Sequence, residues 1–193
     1  TPALRLDLRD RPLAPTSGFY AMVSQEFASP LLLSQADGPN LEDFPVSYSR
    51  FQIRTDFLVP IFQDVTWFFS FRSGFEKNLD PRPPVYDENG QLVSGKPQSG
   101  LPLIKQFALG GVNSLRGFRN QDLNFYERAI YGTLSYVNYR TQLDFPVSGA
   151  LRFGPFLDAG NLNVDTFSFG DLYYGAGFGF HYQTPVGPVN LDW

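Results

Sequence analysis

The chain has 193 residues, no cysteine and a formal net charge of −4, enough length for one domain or a small membrane barrel. These numbers exclude disulfides, thiolate chemistry and Cys-based metal sites, and leave no basic footprint for a nucleic-acid partner. No apolar run approaches the about 18 residues of a transmembrane helix, whereas 20 Phe, 10 Tyr, 18 Gly and 16 Pro favour an all-β chain with many turns.

Eight segments alternate apolar and polar residues with a period of two, the mark of a sheet with two unlike faces. The first sets Leu4, Leu6 and Leu8 against Arg5, Asp7 and Arg9, and the second Phe19, Ala21, Val23 and Phe27 against Tyr20, Ser24 and Glu26. Val46 to Val59 places Phe51, Ile53, Phe57 and Val59 opposite Tyr48, Arg50, Gln52, Arg54 and Asp56. Thr66 to Phe75 opposes Trp67, Phe69, Phe71 and Phe75 to Thr66, Ser70, Arg72 and Gly74. In the fifth, Val137, Tyr139, Leu143 and Phe145 oppose Asn138, Arg140, Gln142 and Asp144; in the sixth, Leu151, Phe153, Leu157 and Ala159 oppose Arg152, Phe156 and Asp158. Tyr174, Ala176, Phe178 and Phe180 then face away from Gly175, Gly177, Gly179 and His181, and Val189, Leu191 and Trp193 from Asn190 and Asp192.

Alternation alone also fits a soluble sandwich or lipocalin. Three further features favour an antiparallel transmembrane β-barrel of about eight strands: an aromatic-rich apolar face, mixed charges on the polar face, and connections that alternate in length. The short ones are Arg11 to Ser17, Pro60 to Asp64, Pro146 to Gly149 and Thr184 to Pro188. The long ones are Ala28 to Pro45, Glu76 to Ile130 and Asn161 to Leu172. The expectation is one outer-membrane barrel domain over residues 1–193, in a Gram-negative-type envelope, with the apolar parity toward lipid. No basic-then-apolar leader opens the sequence, so the chain is expected to be processed. Short turns on the periplasmic side place both chain ends outside, which is unusual for such barrels and points to a missing strand, an atypical first segment or a fragment.

Four stretches carry a resemblance. They are Arg9 to Gly18; Leu115-Arg116-Gly117-Phe118 inside the longest connection; Phe156-Leu157-Asp158-Ala159-Gly160; and Thr184-Pro185-Val186-Gly187-Pro188. In this order they resemble landmarks of the C-terminal half of the barrel of the outer membrane protein 85 superfamily, which includes the assembly factor BamA and two-partner secretion transporters. The resemblance implies that the long loop folds into the lumen and that Arg116 pairs with Asp158. Parity separately puts Asp158 on the polar face. Such a buried bidentate pair offsets the entropy of ordering a loop.

Where the family often has an acidic residue this chain has Gln142, and Asp144, two residues on, is the candidate substitute. The loop-anchoring set is therefore Leu115, Arg116, Gly117, Phe118, Asp158, Gln142 and Asp144. A small barrel has little interior room, and the lumen glycines Gly154, Gly175, Gly177 and Gly179, with Gly74 and Gly132, either make space for the loop or serve strand flexibility and aromatic packing. Against the family pattern, the expectation is a barrel that lacks the Phe/Gly-rich last strand after Trp193 and has no periplasmic repeat domain.

His181, the single histidine, lacks any motif supplying a nucleophile or further ligands, so it is read as an ordinary lumen residue. Gly175 to Gly179 lies in an alternating strand and not in a phosphate loop. The functional expectation is a non-enzymatic barrel, without metal or cofactor, related to protein-assembly and translocation factors and acting in membrane biogenesis or local membrane perturbation. Its expected partners are membrane lipid, a second copy in a homodimer, and other outer-membrane proteins. The alternatives are a structural or interaction barrel without transport, or the C-terminal part of a larger secretion transporter.

Overall fold

The computed structural model describes residues 1–12, 15–29, 35–36, 44–62, 64–82, 86–91, 100–126, 130–184 and 187–193. All eight alternating segments are strands: β1 (Ala3–Asp7), β2 (Gly18–Ala28), β5 (Tyr48–Phe62), β6 (Val65–Asn78), β7 (Thr133–Ser148), β8 (Leu151–Val164), β9 (Tyr173–Thr184) and β10 (Gly187–Asp192). They form one antiparallel sheet in the order β1, β2, β5, β6, β7, β8, β9, β10, and this sheet is not closed on itself. Among the described residues there is no α-helix, and none long and apolar enough to cross a membrane. The sequence did not show a two-stranded pairing of β3 (Gln35–Ala36) with β4 (Phe44–Pro45) in the first long connection. Two of the resemblance stretches lie partly outside the described residues, at positions 13–14 and 185–186.

Register turns the period-two pattern into two faces. Phe19 pairs with Phe57 and Phe57 with Phe69, so one aromatic row crosses three strands on the outer face. The ring centroids are 4.7 and 6.2 Å apart along this row, close enough for cross-strand aromatic contact. Trp67 joins it and ties back by donating its indole N–H to Thr141 Oγ1 at 2.8 Å. Outward Phe51, Phe57, Trp67, Leu157, Phe178 and Leu191 are exposed, whereas inward Asp56, Ser70, Asp158 and His181 are buried. A sheet whose apolar side is the exposed one suits a hydrocarbon solvent.

Two parts of the parity reading need correction. The strands run further than their alternation does: β7 begins at Thr133, and β5 continues through Pro60 to Phe62 with a register shift there. These extensions carry inward apolar side chains, so the inner face is not polar throughout. Tyr48, Leu134 and Ala28 pack with the loop residues Leu101, Phe107 and Ile130, joined by Tyr136, Leu162 and Val164. Apolar residues at the loop end of the inner wall thus give the returning loop something to bury against.

The second correction concerns Val137, expected to face lipid. It is on the outer parity but fully buried, as are its cross-strand partner Asn161 and its same-strand neighbour Ser135. The connection after β8 turns back over this patch. Asn161 Nδ2 donates to the carbonyls of Ser168 and Gly170, and Ser135 Oγ donates to the carbonyl of Thr166 at 2.6 Å. The covering segment exposes Phe167 and Phe169, whose rings meet edge to face at 4.9 Å.

Candidate functional site

The connection between β6 and β7 returns across the inner face and builds its own scaffold. Its described residues include a 3-10 turn at Leu103–Lys105 and the isolated bridges Leu101 to Ile130 and Leu109 to Leu123. At the tip, Gly111 N–H donates to the Phe118 carbonyl, while the Ser114 hydroxyl accepts from Gly110 N–H and donates to the Gly110 carbonyl. These bonds close residues 110–118 into a compact turn. Gly117, at φ +88°, occupies the left-handed region open to glycine at little cost.

Arg116 is aimed into the sheet by that turn. Its backbone N–H donates to Asp158 Oδ2 at 3.1 Å, Nε to the same oxygen at 2.8 Å, and Nη2 to Oδ1 at 2.8 Å. The fork and the carboxylate therefore meet bidentately, with a main-chain bond added. Arg116 is 4 % exposed and Asp158 0 %. Below the guanidinium lies Phe156, with the ring centroid 3.6 Å from Cζ, a cation–π stack in a desolvated place. Leu115 beside it is fully buried, and Phe118 packs edge to face on Tyr173 at 6.1 Å.

Gln142 and Asp144 occupy different positions relative to the pair. Gln142 Oε1 accepts from Arg116 Nη1 at 2.6 Å, so the amide still supplies an acceptor where a carboxylate was the expectation. Asp144 stands behind Gln142, accepting from its Nε2 at 2.9 Å. The second carboxylate toward Arg116 is Asp192 on β10, with Oδ2 3.5 Å from Nη1. His181 joins the two acids, with Nδ1 2.8 Å from Asp144 Oδ1 and Nε2 3.1 Å from Asp192 Oδ1. The result is a closed circuit through Arg116, Gln142, Asp144, His181 and Asp192, with Asp158 attached at Arg116, and together these side chains draw on four strands.

Three further inner-face residues hold the backbone just before the tip. Arg72 Nη1 donates to the Asn113 carbonyl at 2.6 Å, Arg140 Nη2 to that of Val112 at 3.0 Å, and Asn138 Nδ2 to that of Ser114 at 2.9 Å. Arg140 also approaches Asp158 at 3.7 Å. Sequence reasoning placed none of these in the site, nor Asp192, and named Phe156 only as part of a landmark stretch, although all lie on the polar parity. Parity marked their face; it did not mark which of them lie at the depth the loop reaches.

The lumen glycines divide by what faces them. A Cβ at Gly175, directly opposite Asp158 in register, would run into the Arg116 carbonyl oxygen. One at Gly177 would meet the Trp193 carbonyl, and one at Gly179 the Asp192 carboxylate. At Gly154 it would lie 2.6 Å from Asp144 Oδ1. Gly175 alone of the four makes room for the loop; the others admit neighbouring strands or acids. Gly74 also faces the loop, through Phe107, whereas Gly132 faces Asp165.

Among the described residues no group of three or more His, Cys, Asp or Glu is placed to hold a metal ion. What this geometry can do is fix a loop: burying both charges is costly, and full bidentate pairing offsets that cost.

Comparison with known proteins bears on the whole chain. Residues 1–193 match the model of the Omp85 superfamily domain. Among solved structures, the chain is similar to that described as the crystal structure of BamA from Haemophilus ducreyi lacking POTRA domains 1-3, with a TM-score of 0.64 and 16 % sequence identity. The match covers 99 % of this chain and 37 % of that one, so the chain spans little over a third of its length. At that identity the likeness concerns the fold. No curated protein sequence gave a significant match.

Proposed function

The chain belongs to the Omp85 superfamily, and from that membership we propose that it is a non-enzymatic wall of an outer-membrane barrel that serves protein assembly or translocation during membrane biogenesis. The observation that carries this reading is the Arg116 lock: a loop tip held on the inner face of a sheet whose outer face is aromatic. Membrane lipid is the partner of the aromatic row, in a Gram-negative-type outer membrane. Client or neighbouring outer-membrane proteins are the partners of the remaining surfaces.

The test is reconstitution. The chain in lipid vesicles should speed the folding of an unfolded outer-membrane barrel, read by its heat-modifiable gel shift, relative to empty vesicles. Arg116→Ala should lose most of that gain while still inserting. Equal folding rates with and without the chain would remove the assembly role.

A second reading, an interaction barrel that transports nothing, draws on two features. The loop packs the inner face with Leu101, Phe107 and Ile130, and β1 and β10 each stand at an edge of the sheet. Unpaired N–H and C=O groups are costly in a bilayer, and edge-to-edge pairing of two copies would satisfy them. Native mass spectrometry in several mild detergents separates the cases: a dimer supports this reading, and a monomer throughout removes it.

A further inference from the structure

Away from the Arg116 lock, a cleft of about 390 Å³ lies between the inner wall and the returning loop. Arg50, Gln52 and Arg72 form its sheet side, and Asn120, Gln121 and Tyr126 belong to its loop side. Its only charged lining residues among those described are the two arginines.

Neither arginine takes part in an ion pair among the described residues, in contrast to Arg54, which Asp56 holds at 2.6 Å. The Nε of Arg50 and the Nε of Arg72 are both buried without a hydrogen-bond partner. Arg72 also sits directly opposite Arg54 in register, and like charges at that position oppose each other. Glu26 and Glu76 face Arg50 from its two neighbouring strands, but Glu26 is held by Tyr48 and Lys105, neither Glu76 oxygen has a hydrogen-bond partner, and neither acid lines the cleft. Phe107 supports Arg50 from one side, with its ring centroid 4.4 Å from Cζ.

We propose that this cleft binds a phosphate-type oxyanion carried by a soluble compound, with Arg50 and Arg72 as its charged donors and Gln52 and Asn120 as neutral ones. The planar guanidinium fork matches two oxygens of a tetrahedral oxyanion. Stacking on Phe107 orients Arg50 in advance, which lowers the ordering cost of binding. The volume admits a phosphate group with a sugar-sized body attached. Bilayer headgroups are not the source, because Arg50 and Arg72 lie on the opposite parity from Phe57 and Phe69. The site does not rest on the assembly reading, although Arg72 also donates to the Asn113 carbonyl near the loop tip.

The test is titration calorimetry of the full chain in zwitterionic detergent, with sodium phosphate against sodium chloride at matched ionic strength. Saturable phosphate binding is expected, weakened about tenfold or more by Arg50→Gln and by Arg72→Gln. Arg119→Gln, an exposed loop change outside the cleft lining, should bind like the parent. If a glutamine variant fails to fold by circular dichroism, Arg50→Lys and Arg72→Lys keep the charge and should still weaken binding. No saturable binding in the parent overturns the proposal, as does undiminished binding in the folded arginine variants, or an equal loss in Arg119→Gln.

Discussion

Arg116 and Asp158 are 42 residues apart in sequence and joined by three hydrogen bonds, one of them from the Arg116 backbone N–H. That last bond distinguishes the arrangement from an ordinary ion pair. It fixes the main chain of the loop tip, and the side-chain fork then fixes its rotation. Removing one member of a buried pair leaves the other charged and unsolvated, at a cost of about 3–5 kcal/mol.

Loop order and strand pairing should therefore separate. Arg116→Ala and Asp158→Ala are each expected to expose residues 112–120 to protease while leaving the β signal in circular dichroism intact. Limited proteolysis with mass mapping checks this. Loss of the β signal in both variants would make the pair part of the sheet's own stability.

Gly175→Ala should have the same effect by another route. The added methyl collides with the Arg116 carbonyl oxygen, so the tip must lift, with an expected loss of about 1–3 kcal/mol. Gly170→Ala, where the nearest atom is 3.7 Å away, is the neutral comparison. Equal unfolding midpoints for the two would contradict the close approach.

The two faces should respond oppositely to charge. Phe69→Arg, on the aromatic row, is expected to cost about 2–4 kcal/mol if near the bilayer midplane, and Gln52→Arg much less. Val137→Arg should also be severe, because a charge would replace a fully buried side chain among Ser135 and Asn161. Unfolding measurements in bilayers give the order, and a reversed ranking of Phe69 and Gln52 would mean the faces are exchanged.

The turn between β1 and β2 carries a pH dependence. Burial works against the charge of Asp10, but bonds from Ser17 N–H, the Thr16 hydroxyl and Thr16 N–H outweigh it and hold its carboxyl below the ordinary range. A depressed folded value means that the stabilisation is present above the ordinary carboxylate range and is lost as pH falls through the lowered one. Amide exchange at Thr16 and Ser17 should be slower in the parent than in Asp10→Ala at neutral pH, with the difference closing in acid. A difference independent of pH would remove the carboxylate from the turn.

The strands were legible because a side chain every second residue must choose between two solvents. Phe51, Phe57 and Phe69 made that choice visible. Arg116 and Asp158 were legible only as parts of ordered landmarks, since nothing in a four-residue stretch says what lies opposite it. Asp192, Arg72 and Arg140 were not, because their role depends on how deep the loop reaches and on strand stagger, which period-two patterning does not encode. The inward Leu134 and Leu162 were missed for a related reason: where a loop covers the inner wall, the polar parity turns apolar and alternation fades. Val137 shows the converse, an outer residue buried by a connection whose backbone finds its partners in Asn161 and Ser135.

A double-mutant cycle on Arg116→Ala and Asp158→Ala, measured by reversible unfolding in one detergent, tests the loop lock most directly. The expected result is strong coupling: the double variant loses little more than either single one, because removing both partners leaves no orphaned charge. Additive losses would mean that the two residues act separately and that the loop is held by its apolar contacts alone.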